Sequence, residues 1–343
     1  PEPPRAPGRR SAAPPRRPPS PREAPGPRVA AGQPAVTVAV TIERIGADGL
    51  GRCVVDGREV TVPAVVPGER VEVQLVEGPS RARLLRILQP AAARIAPRCR
   101  HVADCGGCTW QHIAYPEQLR LKRDRLQDVV DAAAGAGRVR VGPVLGLQAA
   151  DASGPWGYRH KVHFAFDTGR DGRLRMGHLR AGSRDVFDAK ECPVHAPRGN
   201  EVAVAVKAAL QHSRLPAGEP PLGIVRHLVS RVGRSSGEVV STLVASDNVP
   251  ALRAVSRAVL ATARPDGWHL NLHPKPGPLL FGAHTRHLAG RERVREDVGG
   301  VTFLVSPTAF FQTNVEAAAM LAAQVLAAVP VENARVLDLY AGL

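Results

Sequence analysis

Cys99-Arg-His-Val-Ala-Asp-Cys105-Gly-Gly-Cys108-Thr-Trp-Gln111-His112 places three cysteines within ten residues of a chain that has only five. The spacing is C-x5-C-x2-C, and a distant fourth thiol follows at Cys192-Pro193. Thiolates are the soft ligands that zinc and iron–sulfur clusters both take. The glycine pair between Cys105 and Cys108 lets the backbone wrap closely and turn N–H groups toward sulfur. Zinc on four cysteines and an iron–sulfur cluster both remain open at this point. The C-x3-C-x2-C pattern of radical enzymes is absent, so no radical chemistry is expected. Four protein ligands would leave no open position on the metal, which makes such a centre structural or positioning rather than catalytic.

Around this stretch, 343 residues are enough for two or three domains. No apolar run approaches the ~20 residues of a membrane span, and the N-terminus lacks the apolar segment of a signal peptide. Five cysteines are too few for a disulfide scaffold in a chain this long, and their clustering suggests a reducing, cytoplasmic setting. The net charge of +15 fits an anionic partner, most simply nucleic acid, although an arginine-rich composition has the same effect. Residues 1–34 carry seven arginines against two glutamates and almost no large apolar side chains, so a disordered tail is expected there. The chain begins at Pro1 and stops at Leu343 directly after Leu-Asp-Leu-Tyr-Ala-Gly, which reads as a fragment open at both ends.

Between residues 36 and 88 the pattern is one of short strands. Val36 to Ile42 alternates and is rich in β-branched residues, Asp56-Gly57 marks a hairpin turn, and Val71 to Val76 alternates again. About five strands in so short a stretch suggest a small OB-like barrel. Cys53, at a strand start, reads as a small buried residue. After the cysteine stretch, Pro116 opens a helix to about Ala134, with Leu119, Leu126, Val129, Val130 and Ala133 able to share a face and Arg120, Lys122, Arg123 and Arg125 elsewhere. Strands follow at Tyr158–Phe166, Arg173–His178 and Asp185–Phe187, then a helix at 200–212, strands at Gly223–Val232 and Glu238–Val244, a helix at 250–263 and a strand at Trp268–His273. That order describes an α+β domain. Val301–Val305 is a strand, and Asn314 caps a helix to about Val329 with Glu316 in its first turn. Arg335–Tyr340 reads as a buried strand leading to Gly342, the way a Rossmann-like domain begins.

Taken together these segments acquire a specific resemblance. Gly46-Ala-Asp-Gly-Leu-Gly-Arg52, Val62-Pro63 and Val66-Pro-Gly-Glu-Arg-Val71 resemble a TRAM domain, a small RNA-binding barrel. The cysteine stretch, Cys192-Pro193, Ser306-Pro…Phe310-Phe311-Gln312…Asn314 and Asp338-Leu-Tyr-Ala-Gly342 then occur in the order seen in the RNA uracil-5-methyltransferase family. The resemblance implies a multidomain α/β and β chain. Its parts are a disordered tail over 1–34, a TRAM barrel over 35–90, an iron–sulfur α+β domain over 91–300 and the start of a Rossmann-like class I methyltransferase domain over 301–343. It implies that Cys99, Cys105, Cys108 and Cys192 ligate a [4Fe-4S] cluster. It implies that Gln312 helps to hold S-adenosyl-L-methionine or the target base, that Phe310 packs beside the base, and that Asp338, Tyr340 and Gly342 begin the methionine-binding loop.

The implied reaction forms 5-methyluridine in rRNA or tRNA. Uracil C5 is a poor nucleophile, and such enzymes add a cysteine thiolate to C6 so that C5 can take the methyl group, after which a base removes the C5 proton. In the family that cysteine and that base lie downstream of the glycine loop, beyond Leu343, so no catalytic residue is named within this chain and the chain alone is expected to be inactive. The competing expectation is a non-catalytic RNA-binding protein with an iron–sulfur or zinc centre. Neither reading calls for a membrane or an obligate protein partner.

Overall fold

The computed structural model describes residues 36–76, 81–149, 151–329, 335–337 and Leu339. The expected tail over 1–34 therefore lies outside the described residues, as do Asp338, Tyr340 and Gly342.

The first strands are β1 (Thr37–Thr41), β2 (Arg44–Ile45), β3 (Gly51–Val55), β4 (Arg58–Val62), β5 (Arg70–Leu75) and β6 (Ala82–Gln89). They form two three-stranded antiparallel sheets, in the orders β1-β5-β6 and β2-β3-β4. Alternation sends Val40, Ile42, Val60, Val62, Val71 and Val73 into one shared core, with Cys53 1% exposed among them. The turn between β3 and β4 has positive φ at both central residues, Asp56 at 49° and Gly57 at 75°. Those angles suit the two-residue turn expected from the sequence.

Three fastenings join this unit to the cysteine segment. Glu69 is fully buried; it accepts from the N–H groups of Val66 (2.8 Å) and Ala91 (3.4 Å) and pairs with the Arg94 guanidinium. Arg94 also donates to the Ala64 carbonyl at 2.8 Å. Trp110 Nε1 donates to Gly49 O at 2.9 Å, and His112 Nε2 lies 3.1 Å from Val65 O. After these contacts comes α1 (Tyr115–Ala134), with proline in its first turn. The expected apolar stripe on α1 is not buried: Leu121 is its enclosed residue, while Leu126 and Val129 are about half exposed. Arg120 and Arg123 are held by Glu117 and Asp124 on the same helix surface.

The centre is a seven-stranded sheet in the order β13-β12-β11-β10-β7-β8-β9. Its strands are β7 (Lys161–Thr168), β8 (Leu174–Leu179), β9 (Val186–Asp188), β10 (Val225–Val232), β11 (Val239–Ala245), β12 (Gly267–Leu272) and β13 (His284–Gly290). Within this sheet the β11–β12 pair is parallel and the others antiparallel, because the helix α3 (Ala251–Thr262) carries the chain across between β11 and β12. One face packs on α2 (Pro197–Ser213) and α3. Val162, Phe164, Leu228, Leu243 and Trp268 meet Val202, Val206, Leu210, Val255 and Val259 there. At Gly199 on α2 a Cβ would come within 2.5 Å of Val162 Cγ2, so only glycine allows the helix this close to β7.

The opposite face carries polar groups, among them Lys161, His163, His227, Arg231, Thr242 and His269, in neighbouring strand positions. A hairpin of β14 (Val294–Val298) and β15 (Val301–Val305) packs on that face through Val240, with Phe303, Ala309 and Phe311. Strands β13 and β14 were not expected; β13 is exposed along nearly its whole length and so has no inside-out alternation to read. The helix α4 (Val315–Ala328) starts as expected, with Asn314 Oδ1 accepting from Ala317 N at 3.0 Å. Of the strand expected over Arg335–Tyr340, Asp338 and Tyr340 lie outside the described residues. Residues 335–337 lie outside any strand, with Val336 69% and Leu337 81% exposed, and among the described residues no neighbouring strand pairs with them. No helix among the described residues is long and apolar enough to cross a membrane.

Candidate functional site

The three clustered cysteines lie on a segment pinned to the outer part of the central sheet. Cys105 forms an isolated β-bridge with Arg180, Gly106 N donates to Leu179 O (3.2 Å), Ala181 N donates to Asp104 O (2.9 Å), and Arg180 pairs with Asp104 at 2.6 Å. Gly106 lies against the backbone of Ala181, and Gly107 N donates to Cys105 Sγ at 3.3 Å. Gln111 Oε1 accepts from Cys99 N at 3.1 Å and so ties the two ends of the segment together. Neither Gln111 nor Trp110 carried a legible role in the sequence, because their partners are 12 and 61 residues away.

Cys192 arrives from the other side, ahead of α2. Its backbone is gripped by Asn200, with Cys192 N donating to Oδ1 (3.3 Å) and Nδ2 donating to Cys192 O (3.1 Å). Burial, with Cys108 and Cys99 acting in the same direction, pushes the Cys192 thiol up to about 11. Burial likewise raises Cys105, with Cys108 and Cys99 adding to it. The Tyr158 hydroxyl is raised by burial and then by Cys108 and Cys192. The four sequence-selected cysteines thus share one electrostatic neighbourhood, and none of them is in a disulfide. Cys105 and Cys192, whose charged forms are disfavoured there, are thiols that a cationic centre would relieve. Beside it lies a cavity of about 690 Å³ lined by Cys108, Trp110, Tyr115, Trp156, Tyr158 and Asn314 among others.

The segment Ser306–Asn314 is the second element. Arg231, on β10, is 5% exposed, and carbonyls rather than a carboxylate receive it; its guanidinium donates to Pro307 O at 3.2 Å and also bonds Ala309 O. Burial lowers its pKa to about 10, still far above neutrality, so the cation stays and the loop carbonyls solvate it. His160 N donates to Thr313 O at 2.8 Å and holds the other end. The loop separates the two phenylalanines. Phe311 turns inward against Phe303 (5.5 Å between rings), whereas Phe310 is 79% exposed and Gln312 is exposed beside it. On the same sheet face burial lowers the pKa of Lys161, helped by Arg231 and Arg159, and its ammonium lies 5.6 Å from the Phe281 ring. Replacing Arg231 with methionine should lower stability by about 2–3 kcal/mol, since two carbonyls lose a charged donor. Urea unfolding followed by tryptophan fluorescence measures this, and a loss under ~0.5 kcal/mol would show that the loop is held by other means.

Phe310 and Gln312 thus stand exposed on a loop that Arg231 braces against the polar face of the sheet. No family model matches the sequence. An uncharacterized RNA methyltransferase from Nostoc sp. is 35% identical over 281 residues, covering 80% of this chain and 60% of the relative. Another from Synechocystis sp. is 32% identical over 320 residues, covering 91% and 68%. The chain belongs to this family of RNA methyltransferases. It spans 60% and 68% of the length of those two relatives. Among solved structures, Pyrococcus abyssi tRNA (uracil-54, C5)-methyltransferase in complex with S-adenosyl-L-homocysteine matches with a TM-score of 0.63 at 23% identity. That match covers 84% of this chain and 64% of the other and shows a shared fold.

Proposed function

We propose that this chain is the RNA-contacting and metal-holding part of an S-adenosylmethionine-dependent enzyme that forms 5-methyluridine in rRNA or tRNA. The observation that carries the reading is the loop Ser306–Asn314. It buries a cation to fix its backbone and leaves a phenylalanine and a glutamine uncovered. An exposed aromatic on a braced loop supplies a stacking surface for an unpaired base, and a base must leave its stack before C5 can be reached. Gln312 offers both an amide donor and an acceptor beside it, suited to the edge of a base or to the methyl donor.

Residues 35–90 supply the TRAM-type unit in this reading, and Cys99, Cys105, Cys108 and Cys192 hold a [4Fe-4S] cluster. The donor set is chemically suited to that group, since thiolates are the ligands such clusters take, Cys105 and Cys192 each feel Cys108 and Cys99, and a backbone N–H points at Cys105 Sγ. When bound, the cluster would tie the 99–108 segment to the start of α2 and hold both against the sheet. The protein residues do the rest: Gln111 closes the segment, Asn200 fixes Cys192, and Arg231 holds the loop for the base. Asp338, Tyr340 and Gly342 are assigned to the methyl donor on the sequence resemblance alone.

Expressed within its full reading frame, the protein should transfer methyl groups from S-adenosylmethionine to RNA and yield 5-methyluridine on nucleoside analysis. A product methylated elsewhere, or no product from a folded, cluster-loaded enzyme, refutes the assignment. Phe310→Ala should leave stability within about 0.5 kcal/mol, because the ring is exposed. It should weaken RNA binding about tenfold or more through the lost stacking surface, read by filter binding or fluorescence anisotropy.

A further inference from the structure

His178, Cys192 and His195 bring one ligand atom each to within 4.8 Å of one another. They come from two places in the chain: His178 from β8, Cys192 and His195 from the turn before α2. His195 is 2% exposed, and its Nδ1 has no hydrogen-bond partner among the described residues; His178 Nε2 is likewise buried and unpartnered. A buried imidazole nitrogen without a partner costs about 1–3 kcal/mol, so two of them beside one thiol call for an explanation. Phe164 forms the floor, stacked on His178 with ring centres 5.2 Å apart and edge-on to His195 at 5.1 Å. Arg159 and His101 are the charged or titratable groups facing His178, and Arg159 also faces His195. Asn200 holds the Cys192 backbone in place.

We propose that His178, Cys192 and His195 form a mononuclear site, two nitrogens and one sulfur, for a divalent transition ion, Zn2+ in the first place, distinct from the four-cysteine cluster and exclusive with it. Cys192 is common to the two, so the inference rests on the four-cysteine reading only for that exclusivity. With the cluster assembled, Cys192 holds iron and the two imidazoles are idle. Without it, Zn2+ takes both nitrogens and the Cys192 thiolate, the thiol proton passing to solvent, and water fills the fourth position. Zinc bonds of about 2.0–2.1 Å to nitrogen and about 2.3 Å to sulfur put tetrahedral ligands about 3.5 Å apart, so side-chain shifts on the order of 1 Å close the site. The consequence is a protein whose sheet edge and α2 turn stay joined when the cluster is lost.

Cluster-free protein titrated with Co2+ tests this. One equivalent should give the strong visible bands of a tetrahedral ion and a near-ultraviolet charge-transfer band of a single thiolate. His178→Phe combined with His195→Leu should weaken Co2+ binding about 100-fold or more, whereas Cys99→Ser combined with Cys105→Ser should leave it unchanged. Equal binding by the histidine variant, or loss of binding in the Cys99/Cys105 variant, overturns the proposal in favour of a cysteine-only site. X-ray absorption on the unsubstituted zinc-loaded protein decides the same question without any variant: two nitrogens and one sulfur support the site, and four sulfurs overturn it. Iron and sulfide content after anaerobic reconstitution reads the cluster separately, so failure of either reading is recognised on its own.

Discussion

Replacing Glu69 with alanine is expected to destabilise the protein by about 3–5 kcal/mol, the range for removing one member of a buried pair. The Arg94 guanidinium would be left against the protein without its carboxylate, and two N–H groups, of Val66 and Ala91, would lose their acceptor. The loss falls at the junction of the N-terminal strands and the cysteine segment, so unfolding followed through Trp110 should show it. Glu69→Gln keeps the shape but not the charge and should cost less. A change under ~1 kcal/mol for the alanine variant would show that the junction is carried by Trp110 and His112 instead. Burial opposes ionisation of Glu69, yet the hydrogen bonds from Arg94, Val66 and Ala91 outweigh it and hold the carboxyl below its ordinary value. The sign follows: a depressed folded value adds stability above the ordinary carboxylate pKa of about 4.3, and that stability is lost as pH falls through the folded value. Wild type should therefore lose its advantage over Glu69→Gln in acid, and a constant difference across that range would refute the pairing.

The second large effect is on metal content. Cys105→Ser combined with Cys108→Ser should abolish retained iron and sulfide in anaerobically prepared protein, since a closed centre with half its thiolates removed has no substitute ligands of like softness. The central sheet should survive. Its core of Val162, Phe164, Leu243 and Trp268 is built from other elements, and far-ultraviolet circular dichroism should change little. Cys53→Ser is the matched contrast. It is buried in the N-terminal core, with Sγ 3.7 Å from Val60 O, so it should lower stability by about 1 kcal/mol and leave iron untouched. Full iron retention in the double variant would end the cluster assignment.

Local chemistry was legible wherever a signal was carried by neighbours in the chain. Asp56-Gly57 announced its turn, Asn314 announced the start of α4, and Val36–Ile42 announced an alternating strand. The stripe on α1 misled because apolar residues at helical spacing show what a helix can bury and not whether anything lies opposite; there Leu121 is the enclosed one. The strand β13 was missed because its residues are exposed and polar, so its pairing with β12 left no periodicity behind. His178 and His195 were passed over because each is an ordinary residue in its own segment; only the packing of β8 against the α2 turn sets them around Cys192.

The residues to which the proposed function assigns the chemistry are legible in the chain itself: four soft thiols, a glycine pair, and an aromatic-amide loop ahead of a capped helix. Composition and spacing decide these, because ligand softness, backbone freedom and capping are properties of single residues and near neighbours. Which of them act together is a matter of packing. Packing set Phe310 outward and Phe311 inward, engaged the Arg231 cation with the Pro307 and Ala309 carbonyls, and placed two unpartnered imidazoles beside the fourth cysteine. Those outcomes depend on burial and on partners tens of residues away, and a burial free energy exists only once the surfaces that exclude water have met.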